Sequence, residues 1–290
     1  MATYAKPADI LRALDRMPML SRSAARLLEV SSRQDHAPGE ILDIIRHDAV
    51  LTGRLLQVVN SAAYSLVQQV ETVDRAVTYL GERMVVGLAL EHSIGAMLQQ
   101  ELPGYEAGAG DLWRHDLRTA IAAREIALCS RGACKPDQAF TAGLLHDIGK
   151  AVLSAYLLHS AATLQGKVRD REQEDYAAAE RDLLGIDHAQ LGEALARHWQ
   201  LPRILQAAIL HHHHPAAAPE EFRPIVYAVH LGDILAYMGG SGTGADQLFY
   251  HLDTRYVDWI PVTAEEIQRI IMAADDEMRR MEESMHGGGR

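Results

Sequence analysis

The chain has 290 residues, of which 28 are Lys or Arg and 39 are Asp or Glu, for a formal net charge of −11. That length admits one large domain or two smaller ones with an ample core, and a hydrophobic content of 48% excludes a disordered chain. The acidic balance repels phosphate backbones and anionic lipid, which argues against a general nucleic-acid or membrane-surface binder.

No apolar run reaches the roughly 18 to 20 residues that span a bilayer, and residues 1–9 lack a basic stretch followed by an apolar core. A cytoplasmic protein is expected. The two cysteines, Cys129 and Cys134, are too few for a disulfide framework and too far apart for a CxxC pair, so they are expected to be buried, reduced thiols. Histidine, at 15 residues against 6% aromatics, is where chemistry is to be sought.

Helical periodicity begins with Ile10, Leu14 and Met17 and continues through Ile41, Ile44 and Ile45, then Leu51, Leu55, Leu56 and Val59, then Val73, Ala76, Val77 and Leu80. Pro38 suits a first helical turn, Asp48 a cap for a helix starting at Ala49, and Gly81 the close of a segment. No alternating strand pattern appears, so the fold class is all-α. Asn60 and Ser61 read as a helix stop.

The pattern ends near Leu98. The run PGYEAGAG at 103–110 then divides the chain into two lobes, 7–102 and 111–238. In the second lobe helices are expected at about 112–130, 136–158, 171–184, 188–199, 202–211 and 223–238. A second glycine cluster, Gly239 to Gly244, sets off a tail at 245–285. The tail's amphipathic helix, about 263–285, opens with a Thr263 and Glu266 capping box and carries Ile267, Ile270, Ile271, Met278 and Met281. The methionines at 272, 278, 281 and 285 read as packing or as a partner-helix surface. Such a helix docks a partner, makes a homodimer or packs on its own chain.

The sharpest feature is LLHDIGK at 144–150. Adjacent residues on a helix point about 100° apart, so His146 and Asp147 reach one metal only where a helix ends or a cation sits in a cleft. Imidazole with carboxylate suits iron, manganese or zinc. His115, His188, His212, His213 and Asp233 are further candidates, each at the edge of an apolar helical stretch. None forms a short metal motif such as HExxH. His36, His47, His92, His159, His198, His230, His251 and His286 are read as ordinary core or surface residues. His211 and His214 are read as flanks of the run, because four consecutive side chains cannot aim at one centre.

LWRH, HDIGK, DHAQLG, HHHHP and a GD helix, in that order, resemble the HD superfamily of metal-dependent phosphohydrolases. With MPML at 17–20, IIRHDAVLTGRLLQVVNSAAYS at 44–65 and VDRAVTYLG at 73–81, the chain resembles more narrowly the HDOD family, in which a helical lobe precedes an HD-type lobe. The resemblance covers about 7–238. It implies metal ligation by His115, His146, Asp147 and Asp233, and, through the related HD-GYP enzymes, by His188, His212 and His213, with one or two divalent ions.

It also implies that Lys150 touches a substrate phosphate, while His212 or His213 is open to a general-acid role. Asp111, four residues before His115, is a further carboxylate candidate. The GYP substrate loop is absent, since HPAAAPEEFRPIVYA follows the histidines, which argues against a typical cyclic-dinucleotide phosphodiesterase. The NSA segment is expected to hold the two lobes together.

Two uses stay open: a signalling module that binds a partner protein and receives its input through that partner or a ligand, and a hydrolase acting on a nucleotide or other phosphoester. A nucleic-acid regulator is disfavoured by charge.

Overall fold

The computed structural model describes residues 5–33, 35–61, 64, 66, 68–246 and 249–286. Among them the structure is helical, and its one bridge pairs Leu102 with Ala107. The first lobe runs α1 (Pro7–Arg12), α2 (Arg22–Ser31), α3 (Pro38–Arg46), α4 (Ala49–Val59) and α5 (Val73–Leu98). Pro38 is the first residue of α3, and the Asp48 side chain accepts from the amides of Val50 and Leu51 at the start of α4, as the sequence predicts. Gly81, at φ +76°, closes one helical segment, and the next begins at once, so α5 is two helices joined across a kink.

Asn60 ends α4, and its side chain bonds within the first lobe. Its amide donates to the carbonyls of Leu56 (2.9 Å) and Val70 (2.8 Å), and its carbonyl accepts from the Val70 amide at 2.7 Å, clamping a loop inside the first lobe. Ala62, Ala63 and Ser65 of the same motif lie outside the described residues. Hydrogen bonds between the lobes include those of Gln138, which donates to the Ser32 carbonyl at 2.8 Å, Trp199, which donates to the Pro18 carbonyl at 3.0 Å, and Gln100, which donates to the Ala151 carbonyl at 2.7 Å.

The second lobe comprises α6 (Asp111–Cys129), α7 (Pro136–Leu145), α8 (Lys150–Leu153), α9 (Ala161–Arg169), α10 (Tyr176–Leu184), α11 (His188–His198), α12 (Arg203–His211) and α13 (Arg223–Met238). The expected helix over 136–158 is broken at residues 146–149, between α7 and α8. The α9 helix was not expected, and α10 starts five residues later than expected, at Tyr176. Cys129 and Cys134 are free but only half-buried.

Two glycines bring α6, α7 and α13 together. A Cβ on Gly143 of α7 would lie 2.7 Å from Ala120 Cα of α6, and one on Gly232 of α13 would lie 3.0 Å from the Ala123 amide nitrogen of α6. Residues of this size let the three backbones approach closely enough for polar side chains to meet across them.

After α14 (Tyr256–Trp259), the tail forms α15 (Ala264–His286). Its capping box is present: Thr263 and Glu266 exchange backbone-to-side-chain hydrogen bonds of 2.7 and 3.2 Å. The helix packs on its own chain. Ile270, Ala274 and Met278 are buried against the core, and Asp275 pairs with Arg118 of α6. Met272 is exposed, and the side chains of Met281 and Met285 lie outside the described residues.

Candidate metal centre

The apolar run of α7 stops at Leu145, so His146 and Asp147 leave the helix in a turn and both face inward. Gly149 sits directly under the first turn of α11: its Cβ would fall 1.9 Å from the His188 carbonyl oxygen. That contact sets His188 beside Asp147. Asp187 caps α11 through the amide of Gln190 and so starts the helix at the histidine. His212 follows α12 at its end, α6 brings His115, and α13 brings Asp233.

The seven histidines and aspartates implied as ligands converge in one buried cluster. Six of them are fully buried, and His213 is 9% exposed. Asp147 lies at the centre. Its Oδ2 is 3.6 Å from Nε2 of both His115 and His146, while its Oδ1 is 3.4 Å from His212 Nε2 and 3.5 Å from His188 Nε2. Asp233 Oδ1 closes the first group at 3.0 Å from His115 and 3.6 Å from His146. His213 joins the second, with its Nε2 2.9 Å from that of His188. One carboxylate thus serves two donor groups, Asp147 with His188, His212 and His213, and His115, Asp116 and His146 with Asp147, each within 4.8 Å.

The remaining ring nitrogens fix the tautomers. Nδ1 of His115 bonds to the Ser241 carbonyl (2.8 Å), that of His146 to Gly143 (2.8 Å) and that of His212 to Ile209 (2.7 Å). A carbonyl only accepts, so each Nδ1 carries the proton and each Nε2 points a lone pair inward. His188 Nδ1 is held by Glu180 at 2.7 Å. The inward atoms, Nε2 of His115, His146 and His212, Oδ1 of Asp147 and both oxygens of Asp233, make no hydrogen bond. Buried acceptors facing one another are costly unless a cation or proton lies between them. This set of imidazole nitrogens and carboxylate oxygens fits a divalent metal ion.

Without metal, the charges redistribute. Burial pulls the His146 pKa down, but Asp147, Asp233 and Asp116 outweigh it and push it up to about 9. Burial lowers His212 to about 4 and holds His213 well below the usual histidine range. Asp233 is pushed far below the ordinary carboxylate range, its burial outweighed by the attraction of the adjoining His115 and His146 rings.

Several residues of the site escape the sequence reading. Asp116 is fully buried, with one oxygen 3.6 Å from His146 Nδ1, and desolvation raises its pKa well above the usual carboxylate range. It is the second half of a His-Asp doublet at 115–116, the signal that would have found it. Asp111, the carboxylate expected nearby, instead accepts from the Gly108 amide and pairs with Arg114 at the start of α6, outside the cluster. Glu180 accepts from His188 Nδ1, from the His188 amide at 2.9 Å and from the Tyr105 hydroxyl at 2.6 Å.

The segment after α13, read as a separator, is a wall of the site. Its Ser241 carbonyl holds His115, and the Tyr250 ring stacks on His213 with centroids 3.8 Å apart. A cleft of about 490 Å³ lined by Tyr250, His214 and Asp175 reaches His213 alone of the seven. Of the flanking histidines, His214 pairs with Asp175 at 3.2 Å. His230, read as ordinary, is a satisfied core residue bonded to the His212 carbonyl and the Asp253 amide.

The HDOD domain profile matches residues 17–215, more than half of the chain. The chain belongs to the HDOD family. An uncharacterized protein of Treponema pallidum (strain Nichols) is 25% identical over 223 residues, which make up 77% of this HDOD chain and 42% of that protein. The chain therefore spans about two-fifths of the length of the curated relative it matches.

Among solved structures, a protein of Marinobacter aquaeolei VT8, provisionally named a signal transduction protein, superposes with a TM-score of 0.72 at 23% identity, covering 100% of this chain and 62% of that one. One from Shewanella amazonensis SB2B, provisionally named a phosphohydrolase, gives a TM-score of 0.58 at 26% identity, covering 97% and 96%. Among the described residues, no helix is long and apolar enough to cross a membrane.

Proposed function

We propose that this HDOD protein is a signalling module whose second lobe holds two adjoining divalent cations, iron, manganese or zinc, that share Asp147. The observation that carries this reading is the set of unpartnered inward Nε2 and carboxylate atoms, arranged on the two oxygens of one buried aspartate. On this reading His115, His146, Asp147 and Asp233 hold one ion, and Asp147, His188, His212 and His213 hold the other. The cluster's burial favours a regulatory centre that acts through a protein partner in the cytoplasm over an open catalytic pocket.

A second reading, hydrolysis of a nucleotide or other phosphoester, is favoured by the full ligand set, by Lys150 beside Asp147 and by the name of the Shewanella protein. When bound, divalent cations supply Lewis acidity and neutralise phosphoryl charge. Lys150 would then place the anion, and His212 and His213, kept neutral by burial, would orient rather than protonate it.

The test is the metal content of protein purified without chelator, by mass spectrometry, beside the His146→Ala, Asp147→Ala double variant. Near-stoichiometric metal that vanishes in the variant is expected. Wild type that takes up no variant-sensitive metal, even after reconstitution, refutes the metal reading and the hydrolase with it.

A further inference from the structure

Lys150 is fully buried, and its ammonium carries two carboxylates: Asp147 Oδ2 at 2.6 Å and Asp246 Oδ2 at 2.5 Å. Asp147 belongs to the ligand cluster. Asp246 does not, and its partners are those of an oxyanion. Besides Lys150, its Oδ2 accepts from the Tyr250 hydroxyl at 3.1 Å, and its Oδ1 accepts from the Thr243 hydroxyl at 2.9 Å. Lys150 in turn donates to Thr243 at 2.9 Å and lies 5.6 Å from the centre of the Tyr250 ring. A cation and two hydroxyls converging on one buried anion are the donor set that recognises a phosphoryl group, and here a side chain of the protein fills it.

The location fits an exchangeable occupant. Tyr250, which donates to Asp246, also stacks on His213 and lines the cleft that opens to solvent. The segment bearing Asp246 is tied down next to it by two backbone contacts: the Ala245 amide donates to the Tyr105 carbonyl at 2.6 Å, and the Ala245 carbonyl accepts from Gln165 at 2.9 Å.

We propose that Asp246 is an internal surrogate for a phosphate-bearing ligand: it occupies an oxyanion site at Lys150, and the ligand binds by displacing its carboxylate. This shares the phosphoester class with the second reading above, but it rests on Lys150, Thr243 and Tyr250, not on bound metal. An intramolecular competitor lowers apparent affinity in proportion to its occupancy.

The probe is inorganic phosphate, titrated by calorimetry into the full chain as purified and after chelation, with metal content measured in parallel. Asp246→Asn keeps the size and a carbonyl acceptor but removes the charge. It is expected to bind phosphate at least tenfold more tightly than wild type, with or without metal. Equal affinity in the two proteins, or a gain that disappears on chelation, overturns the proposal. Absence of metal from both proteins refutes the metal centre yet leaves the gain from Asp246→Asn readable.

If that variant does not fold, amide hydrogen exchange at Ala245 in wild type decides. Exchange at least severalfold faster in saturating phosphate is expected as Asp246 withdraws, and an unchanged rate overturns the proposal.

Discussion

Glu180 touches no metal-facing atom, yet it governs one donor group. Replacing it with Gln keeps the shape: the amide oxygen takes over the bonds from the His188 amide and Nδ1, and the amide nitrogen faces a Tyr105 hydroxyl that turns from donor to acceptor. What is lost is the charge that makes the His188 imidazole more basic, seen in a pKa that burial lowers but Glu180 raises overall.

Removing such an orienting carboxylate weakens metal binding about 10- to 100-fold, or about 1.4 to 2.7 kcal/mol. The fold, with every bond replaced, loses about 1 to 3 kcal/mol from the weakened hydrogen bonds to a formerly charged group. Competition against a chromophoric chelator at neutral pH measures the first quantity, and urea denaturation of the metal-free protein measures the second. One of two ions weakened and the other unchanged is the expected pattern. An affinity within twofold of wild type for both ions refutes the argument that Glu180 tunes the site through His188.

Metal uptake should also release protons. With His146 pushed up to about 9, it is charged at pH 7 in the metal-free protein and must be neutral to ligate, so about one proton leaves per molecule at pH 7, and the release fades above pH 9. Calorimetry in buffers of different ionisation enthalpy reads this directly, and no release at pH 7 contradicts it. Asp48→Ala removes the cap of α4 and is expected to cost about 1 kcal/mol at pH 7 in urea melts. The pKa of Asp48 is lowered in the folded state by hydrogen bonds from the Leu51 amide and Ser23, so its contribution is present above the unfolded pKa and is lost as pH falls through the folded one. The variant and wild type should therefore converge in strong acid, and a constant gap would refute this. Gly149→Ala drives a Cβ into the His188 carbonyl and to 2.7 Å from the Gly192 amide, backbone atoms that cannot swing aside. A loss of about 3 kcal/mol or more is expected, together with loss of bound metal; a stable, metal-replete variant refutes it.

Periodic helices and caps were legible because their causes are local: Asp48, Pro38 and the Thr263 and Glu266 pair act within four residues. The seven converging side chains were legible only through the order of their motifs along the chain. Residues that support them were not, since Glu180, Asp246 and Tyr250 follow no short-range pattern and matter only once α10, α11 and the 239–250 segment fold together. Glycines 239 to 244 misled for a physical reason. Their freedom marks an irregular path, and an irregular path serves equally as a linker or as a wall; Gly244, at φ +97° with its absent Cβ 2.1 Å from the Tyr105 carbonyl, is there for close approach. The helical reading of 136–158 failed where tertiary contact with α11 overrode local preference.

The hydrogen bond from His115 to the Ser241 carbonyl spans 126 positions of sequence. During synthesis, the first lobe and α6 leave the ribosome long before the carbonyl that fixes the His115 tautomer exists. Contacts this distant form late and slowly. The centre is therefore completed among the last events of maturation, and a chain arrested before residue 241 would carry His115, His146 and Asp147 without the arrangement that makes them a site.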